Sequence, residues 1–503
     1  MSVLRVEAGY LPGLAADEVQ WEVLPFEQGG ARVEVAVPVL SSAQMTALAD
    51  RVRQASARHL KTLTVSEIIA IIDRAIVRLL DGGDPYRRQA EALLPVVSGY
   101  DAEMVRLGFV GLLKTFRAPQ LHRFVTEDFA NPKILDAFQP APKGGAVRAY
   151  GPDLLVHSWA GNVPALALWS FICGLLVKAG NIGKLPSAEP LFAGWFARLL
   201  AEVHPPLADC FAVVWWRGAG DEAADALYAQ ADTVVAYGGN DALQAIQRRL
   251  PVTTRFLAHG HKLGFGVVSA AALDTLQAPV VARRAAWDVM RYDQQGCYSP
   301  QVFYVQRGGQ VSPREFAGYL AGELANLQHR YPRRTLDLSE SASLAAWRQS
   351  IEWRAASQSM ARDGVDVQSV ASDRHDADTL IGDAADAWSV AYVDAAQPLS
   401  PSALQRSVVV AVVDALADVV PLVAGRRAFL QTAGVAATPE ELYCLAELLG
   451  KAGVTRISAV GAMSVPEAGW HHDGRFNLLD LVRMAEIEQS AESAAEPFAA
   501  YEP

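Results

Sequence analysis

Apolar positions recur with two different periods along this chain of 503 residues. Residues 31–39, Ala-Arg-Val-Glu-Val-Ala-Val-Pro-Val, alternate with period two and predict a strand. Ser41 to Ala57 and Thr64 to Leu80 instead carry apolar residues at i, i+3 and i+4, the spacing of a helix with one buried face. Ser66-Glu67 is an opening signal for the second helix. Residues 84–139 also predict helices, broken at Pro85, Pro119 and Pro132.

Near residue 145 the pattern changes to short apolar runs, each ending in a turn and followed by a helical period. Leu154 to Ser158 predicts a strand that runs into Ala160-Gly-Asn-Val-Pro164, with a helix after it. Gly180-Asn-Ile-Gly-Lys184 leads to Pro186-Ser-Ala-Glu-Pro190 and a helix ending near Val203. Phe211 to Trp216 is followed by Gly218-Ala-Gly220, and Thr233 to Tyr237 by Gly238-Gly-Asn240. Strand, glycine turn and helix repeated in this way imply right-handed βαβ units on a parallel sheet. A second α/β unit is expected from about residue 256. Its strands are 266–269, 301–305, 389–393, a short one near Ala428, and 456–459. Its helices are Val281 to Met290, Ser402 to Val419 and Pro439 to Ala452. The Asp- and Ala-rich stretch 362–386 reads as a loop insertion, and the acidic C-terminus as a helix over Leu478 to Glu488 that trails off.

Composition narrows the class. Half of the residues are hydrophobic and a fifth charged, as in soluble globular proteins, and the length implies two or three cores. A net charge of −11 argues against nucleic acid or an anionic membrane as the main partner. The longest apolar run, Val163 to Val177, is too short to span a bilayer. The N-terminus lacks a signal-peptide pattern, and the four cysteines form no C-x-x-C pair. Free thiols in a reducing cytoplasm are therefore expected.

One of those thiols changes the picture. Cys297 follows a glycine in Asp293-Gln-Gln-Gly-Cys-Tyr-Ser-Pro300, a polar segment between apolar runs. A thiolate placed there is the strongest nucleophile that side chains offer at neutral pH. Cys173, Cys210 and Cys444 lie in apolar or helical surroundings and read as core, as do Trp215 and Trp216. Gly218-x-Gly220 and Gly238-Gly239 fit two readings, ordinary turns or phosphate cradles at helix starts. Lys184 precedes a helix start, where a cation fits best beside an anionic ligand or ribose hydroxyls. Asn162 in a turn either bonds its own backbone or donates to an oxyanion. His259, His261 and Lys262 have a metal-like spacing but no third ligand nearby in sequence. They read as loop surface, and neither His157, His471 nor His472 carries a role alone. No metal site is assigned.

In their order and spacing these segments resemble the aldehyde dehydrogenase superfamily. The similarity is closest to its acyl-CoA reductase branch, the LuxC-type fatty acid reductases of bacterial luminescence, and runs from about 90 to 485. It rests on His157-Ser-Trp-Ala-Gly-Asn-Val-Pro164, Gly180 to Pro190, Gly218-Ala-Gly220, Tyr237-Gly-Gly239, Lys262-Leu-Gly264 and Gln294-Gln-Gly-Cys297. Trp470-His-His-Asp-Gly474 and Asp480-Leu-Val-Arg483 complete it. The resemblance implies an α/β fold with a Rossmann-type cofactor domain and an α/β catalytic domain. The expected boundaries are 1–255 for the helical region and nucleotide-binding domain, 256–470 for the catalytic domain, and 471–503 for a return segment and tail.

By the same resemblance Cys297 is the nucleophile, and Asn162 with the Cys297 amide holds the oxyanion. Lys184 contacts the adenosine ribose, and Gly238-Gly239 lies near the pyrophosphate. Where hydrolytic relatives carry a glutamate before Leu-Gly, this chain has Lys262, and no carboxylate occurs between Arg255 and Ala272. Deacylation by water should then be slow, so hydride transfer to the acyl-enzyme is favoured. His259 or His261 remains open as an acid–base group. Ser187 stands where NAD-preferring relatives place a glutamate that repels a 2′-phosphate, so NADPH is expected, with NADH admitted. The Glu-x-Phe-Gly-Pro segment typical of the superfamily is not found, and the nicotinamide-ribose contact stays unassigned. The expected activity is reduction of a long-chain acyl-CoA or acyl-protein thioester to the aldehyde, in a homo-oligomer, with an acyl-protein synthetase as a possible partner. A hydrolytic dehydrogenase and a redox-free acyl-thiol transferase are the alternatives.

Overall fold

The computed structural model describes residues 3–218, 220–363 and 378–500. It divides into two compact units: residues 1–98, 105–260 and 467–503 form the first, and 99–104 with 261–466 the second.

Unit one is built on five parallel strands: β1 (Leu154–Ser158), β2 (Gly180–Lys184), β3 (Phe211–Val214), β4 (Thr233–Tyr237) and β5 (Arg255–His259). Their order is β5-β4-β1-β2-β3. The first four are almost wholly buried, which suits their short apolar runs to a sheet covered on both faces. The sheet grows from β1 to one side and then resumes with β4 on the other. Chain reversals of this kind open a crevice at the carboxyl ends of the strands. The two early helices form as expected, over Ser42–Ala55 and Val65–Leu80, and each is opened by a capping box, Ser41 with Gln44 and Thr64 with Glu67. Pro85, Pro119 and Pro132 occupy first turns, where a missing N–H costs nothing, while Pro95 is accommodated inside the helix Pro85–Ser98.

One C-terminal expectation is corrected. Residues 478–488 are not helical. A 3-10 turn at Leu479–Leu481 leads into the strand Arg483–Ile487, which pairs antiparallel with Ala146–Tyr150. Arg148 and Arg483 both lie over the ring of Tyr150, so sheet pairing and cation–π contact together outweigh the local helical period.

Unit two holds a seven-stranded sheet: β6 (Leu263–Val268), β7 (Pro300–Gln306), β8 (Thr379–Ile381), β9 (Ser389–Val393), β10 (Ser407–Val413), β11 (Leu430–Ala436) and β12 (Arg456–Ala459). The order is β8-β9-β10-β7-β6-β11-β12, parallel except for β8. The helix expected over Ser402 to Val419 is instead a turn followed by β10. Val408-Val-Val-Ala-Val-Val413 is β-branched and fully buried, as a central strand requires. The strand expected near Ala428 starts at Leu430. Cys173 and Cys210 are buried as expected, but Cys444 is exposed on the helix Pro439–Ala452. Of the stretch 362–386, residues 364–377 lie outside the described residues. Among the described residues no helix is long and apolar enough to cross a membrane.

Candidate active site

In unit one the carboxyl edge of the five-stranded sheet gathers most of the residues singled out in the sequence. Asn162 follows β1, Lys184 ends β2, Gly218 and Gly220 follow β3, and Gly238-Gly239 follow β4. Gly161 makes the Asn162 turn possible. A Cβ there would sit 3.0 Å from Pro186 and Ala188 Cβ and from the Glu189 nitrogen, so a side chain at this position would push the 186–189 loop back by a few tenths of an ångström.

Lys184 is half-buried, and its ammonium lies 5.9 Å from the centroid of the Trp216 ring. Burial pushes its pKa down, and among the described residues no carboxylate is paired with it. A desolvated cation without a counter-ion suits a polar or anionic ligand. Ser187 is exposed and accepts a long bond from Trp215 Nε1 at 3.4 Å. Glu189 does not substitute for a carboxylate at that position. It accepts from the backbone N–H of Leu191 and Phe192 at 2.9 Å each, capping the helix Phe192–Val203, and burial pushes its carboxyl up to about 7.

The two glycine turns differ. The helix Glu222–Tyr228 after Gly218-x-Gly220 is already capped by the Asp221 carboxylate, which accepts from Ala224 N. The helix Asn240–Gln247 after Gly238 has Gly239 as its N-cap and no side-chain cap, and a Cβ at Gly239 would meet nothing within 4 Å. Its first N–H groups are therefore the better phosphate cradle, although Asp241 in the first turn weakens the local field.

Beside that turn stands a group that sequence reading missed. His259, the last residue of β5, pairs through Nδ1 with Asp473 Oδ2 at 2.8 Å. His472 stacks on His259 at 4.4 Å between centroids and Tyr237 stacks on it at 4.7 Å. The histidine read as loop surface is thus mostly covered, with 15% of its side chain exposed. The only available signal was the Trp470-His-His-Asp-Gly474 segment itself. His157 is a core residue: fully buried, with Nε2 bonded to Asn181 Oδ1 at 2.9 Å and its pKa pushed down to about 4.

In unit two Cys297 lies in the turn that enters β7, half-buried, and receives a bond from Gln431 Nε2 at 3.5 Å. Gln431 is fully buried on β11. The turn is not a flexible one. Tyr292, Asp293 and Gln294 have φ of 49°, 50° and 63°, three consecutive side-chain-bearing residues in the left-handed region. Leu404, Gln405 and Arg406 form a second such run, at 58°, 55° and 67°. The runs are clasped together. Arg406 Nε donates to Asp293 Oδ1 at 2.7 Å, Gln405 N to the Asp293 carbonyl at 3.0 Å, and Gln294 Nε2 to the Ser407 and Pro300 carbonyls at 3.0 and 2.8 Å. Gly264 on β6 backs the turn: a Cβ there would lie 2.5 Å from the Tyr298 carbonyl oxygen. Lys262 Nζ donates to the Ala428 carbonyl at 3.3 Å.

These two units define a class of protein. Solved aldehyde dehydrogenases share the fold over nearly the whole chain. The enzyme named aldehyde dehydrogenase 21 from Physcomitrella patens aligns over 97% of this chain and 99% of its own, with a TM-score of 0.72 at 11% identity. An indole-3-acetaldehyde dehydrogenase solved with NAD+ aligns over 96% of each chain, with a TM-score of 0.69 at 14% identity. Within that fold the chain belongs to the LuxC acyl-CoA reductase family, whose model matches residues 60–484. Among its relatives are proteins named long-chain acyl-protein thioester reductase. That of Aliivibrio fischeri is 25% identical over 85% of both chains. That of Photorhabdus luminescens is 29% identical over 49% of this chain and half of its own length.

Proposed function

We propose that this protein reduces a long-chain acyl thioester, carried by CoA or by a protein, to the aldehyde at the expense of NADPH. The observation that carries the reading is Cys297, held by a rigid, strained turn with an amide donor on its sulfur, in a chain of the acyl-CoA reductase family. Cys297 attacks the thioester carbonyl, its S–C bond forms, and the carrier thiol leaves. Asn162 and the Cys297 amide are the proposed donors to the oxyanion of that step. The segment Arg255 to Ala272 offers no carboxylate to activate water, which supports reduction over hydrolysis.

A nicotinamide cofactor, when bound, supplies the hydride. Lys184 fits the role of ribose ligand because its ammonium is desolvated and, among the described residues, has no carboxylate partner, and the uncapped N–H groups after Gly239 fit a phosphate. Gly218 and Gly220 leave open space on the same edge. The neutral Ser187, with Glu189 engaged as a helix cap, supports NADPH over NADH because no carboxylate repels a 2′-phosphate. A homo-oligomer and an acyl-protein synthetase partner complete the proposal.

Nicotinamide oxidation is measured with acyl-CoA of several chain lengths and NADPH, with the product identified by mass. Aldehyde formation that disappears in Cys297→Ala is expected. No oxidation across chain lengths and carriers, or carboxylic acid as the product, would overturn the reading.

A further inference from the structure

The strand that carries Gln431 is not regular. Leu263 of β6 pairs with Leu430 of β11, and Phe265 pairs with Ala433, so Gly264 alone faces two residues, Gln431 and Thr432. One extra residue on β11 makes this a β-bulge, which re-aims side chains that a regular pleat would send to opposite faces. Here the two neighbouring side chains meet. Thr432 Oγ1 donates to Gln431 Oε1 at 3.4 Å, and Gln431 Nε2 donates to Cys297 Sγ at 3.5 Å. Gln431 and Thr432 are both fully buried. The main-chain carbonyl of Gln431 is fixed as well, accepting from Thr455 N at 3.1 Å and from Thr455 Oγ1 at 3.3 Å.

The direction of these bonds decides what the sulfur meets. A glutamine amide accepts at one end and donates at the other, and the network around it selects which end points where. A hydroxyl likewise accepts or donates. The third member, Arg456 on β12, has no such choice. Its guanidinium only donates, and Nη1 lies 3.5 Å from Thr432 Oγ1. Thr432 Oγ1 accepts from it and keeps its own proton for Gln431 Oε1, which leaves Gln431 Nε2 for Cys297. The links through Thr432, at 3.4 and 3.5 Å, are long and individually weak. Their value is that they all run one way, from the cation to the sulfur.

Arg456 is held in this orientation from its far side. Nη1 also donates to the Met463 carbonyl at 2.6 Å, and Nη2 to the Ala462 carbonyl at 2.9 Å. The turn that offers those carbonyls is pinned by Asp288, a fully buried carboxylate that accepts from the N–H groups of Gly461 and Met463. Cys297, Gln431, Thr432, Arg456 and Asp288 all belong to unit two, so this chain of contacts lies within one compact unit.

We propose that Thr432 and Arg456 are positioning residues for Cys297: they hold the Gln431 amide with its N–H toward the sulfur and thereby favour the thiolate. The inference rests on the thioester-reductase reading, in which Cys297 is the nucleophile. A sulfur accepts better as S⁻ than as S–H, so a donor locked toward it eases ionisation of the thiol. The sulfur carries negative charge twice in that reaction. The first time is before attack, when its lone pair is about to form the S–C bond. The second is when the reduced acyl group leaves. The thiohemiacetal hydroxyl then gives its proton to solvent, the C=O bond re-forms, and the S–C electron pair returns to Cys297, where the Gln431 N–H receives it.

The test follows iodoacetamide alkylation of the Cys297 peptide by mass spectrometry, across the pH range in which thiols titrate, in wild type, Thr432→Val and Thr432→Ser. The exposed Cys444 of the same molecule is the internal reference. Cys297, Tyr292, Arg291 and Arg456 all act on the Tyr298 hydroxyl, and these charged and titratable groups of the turn stay in place in both variants. Thr432→Val frees the amide to turn its carbonyl to the sulfur. Alkylation of Cys297 at neutral pH should then fall about two- to tenfold relative to Cys444, the worth of one ordinary hydrogen bond, and its midpoint should move up. Thr432→Ser restores the hydroxyl and should bring the wild-type profile back. Where Thr432→Val does not fold, Thr432→Ala takes its place. A wild-type Cys297 profile in the variant without the hydroxyl overturns the proposal. An equal shift in Thr432→Ser overturns it too, because the effect is then one of packing. Turnover separates the two readings. Wild type that oxidises no NADPH with any acyl thioester overturns the thioester-reductase reading, whereas active wild type with an unshifted Thr432→Val overturns the positioning role alone.

Discussion

Arg406→Met should release the nucleophile turn. The pair it breaks is among the most buried in the protein, with 1% of the Arg406 and 2% of the Asp293 side chain exposed. Removing the cation leaves the Asp293 carboxylate with the backbone N–H of Arg334 at 3.2 Å. Breaking a buried pair from one side costs roughly 3–5 kcal/mol. The clasp also restrains six residues with φ between 49° and 67°. Each costs on the order of 1–2 kcal/mol in that region, so the turn carries strain that relaxes once the clasp opens. Two measurements separate position from stability. Urea unfolding of Arg406→Met should begin earlier, and Cys297 alkylation by iodoacetamide should change from its wild-type rate under conditions where the variant is still folded. The double variant Asp293→Leu/Arg406→Met replaces the pair with apolar groups and should recover much of the stability, but not the alkylation rate or turnover. Wild-type unfolding and wild-type alkylation in Arg406→Met would refute the reasoning. Full recovery of both in the double variant would reduce the pair to a stability element.

Further outcomes are expected. Gln431→Leu removes the donor to Cys297 Sγ, and a bond of this kind is worth about 0.5–1.5 kcal/mol, so alkylation of Cys297 at neutral pH should slow by about two- to tenfold. Ser187→Glu should shift the ratio of kcat/KM for NADPH and NADH toward NADH by about tenfold or more through repulsion of the 2′-phosphate, read by steady-state kinetics with each cofactor. His157 contributes an acid limb to stability. Its folded pKa, about 4, lies below the ordinary 6.5, so the unfolded chain takes up a proton first as pH falls. Stability from this residue is complete above about pH 6.5 and is lost toward pH 4, by about 3 kcal/mol in all. Urea unfolding across that range should show a shallower loss in His157→Leu than in wild type.

Sequence pattern determined the parts of this protein that rest on neighbours along the chain. The alternation of short apolar runs, glycine turns and helical periods after residue 145 led to the parallel sheet of unit one, and the two early helices form where their period placed them, although Thr64 rather than Ser66 opens the second. The ordered segments from His157 to Asp480 led to the family. The misread segments are those where distant strands overrule local preference. Ser407–Val413 has a pattern compatible with a buried helix, and it is a strand because β7 and β9 flank it. Arg483–Ile487 is a strand because residues 146–150 lie beside it.

The chemistry at Cys297 was legible only as a thiol in a turn. Its amide donor comes from Gln431, 134 residues later, and the rigidity of its turn comes from Arg406, 113 residues beyond Asp293. His259 looked like a surface histidine because Asp473, which orients it, lies 214 residues away. Periodicity and turn signals report what a residue does with the next few positions. Which side chains meet across strand ends depends on strand order and register, and those are settled only when the sheets close.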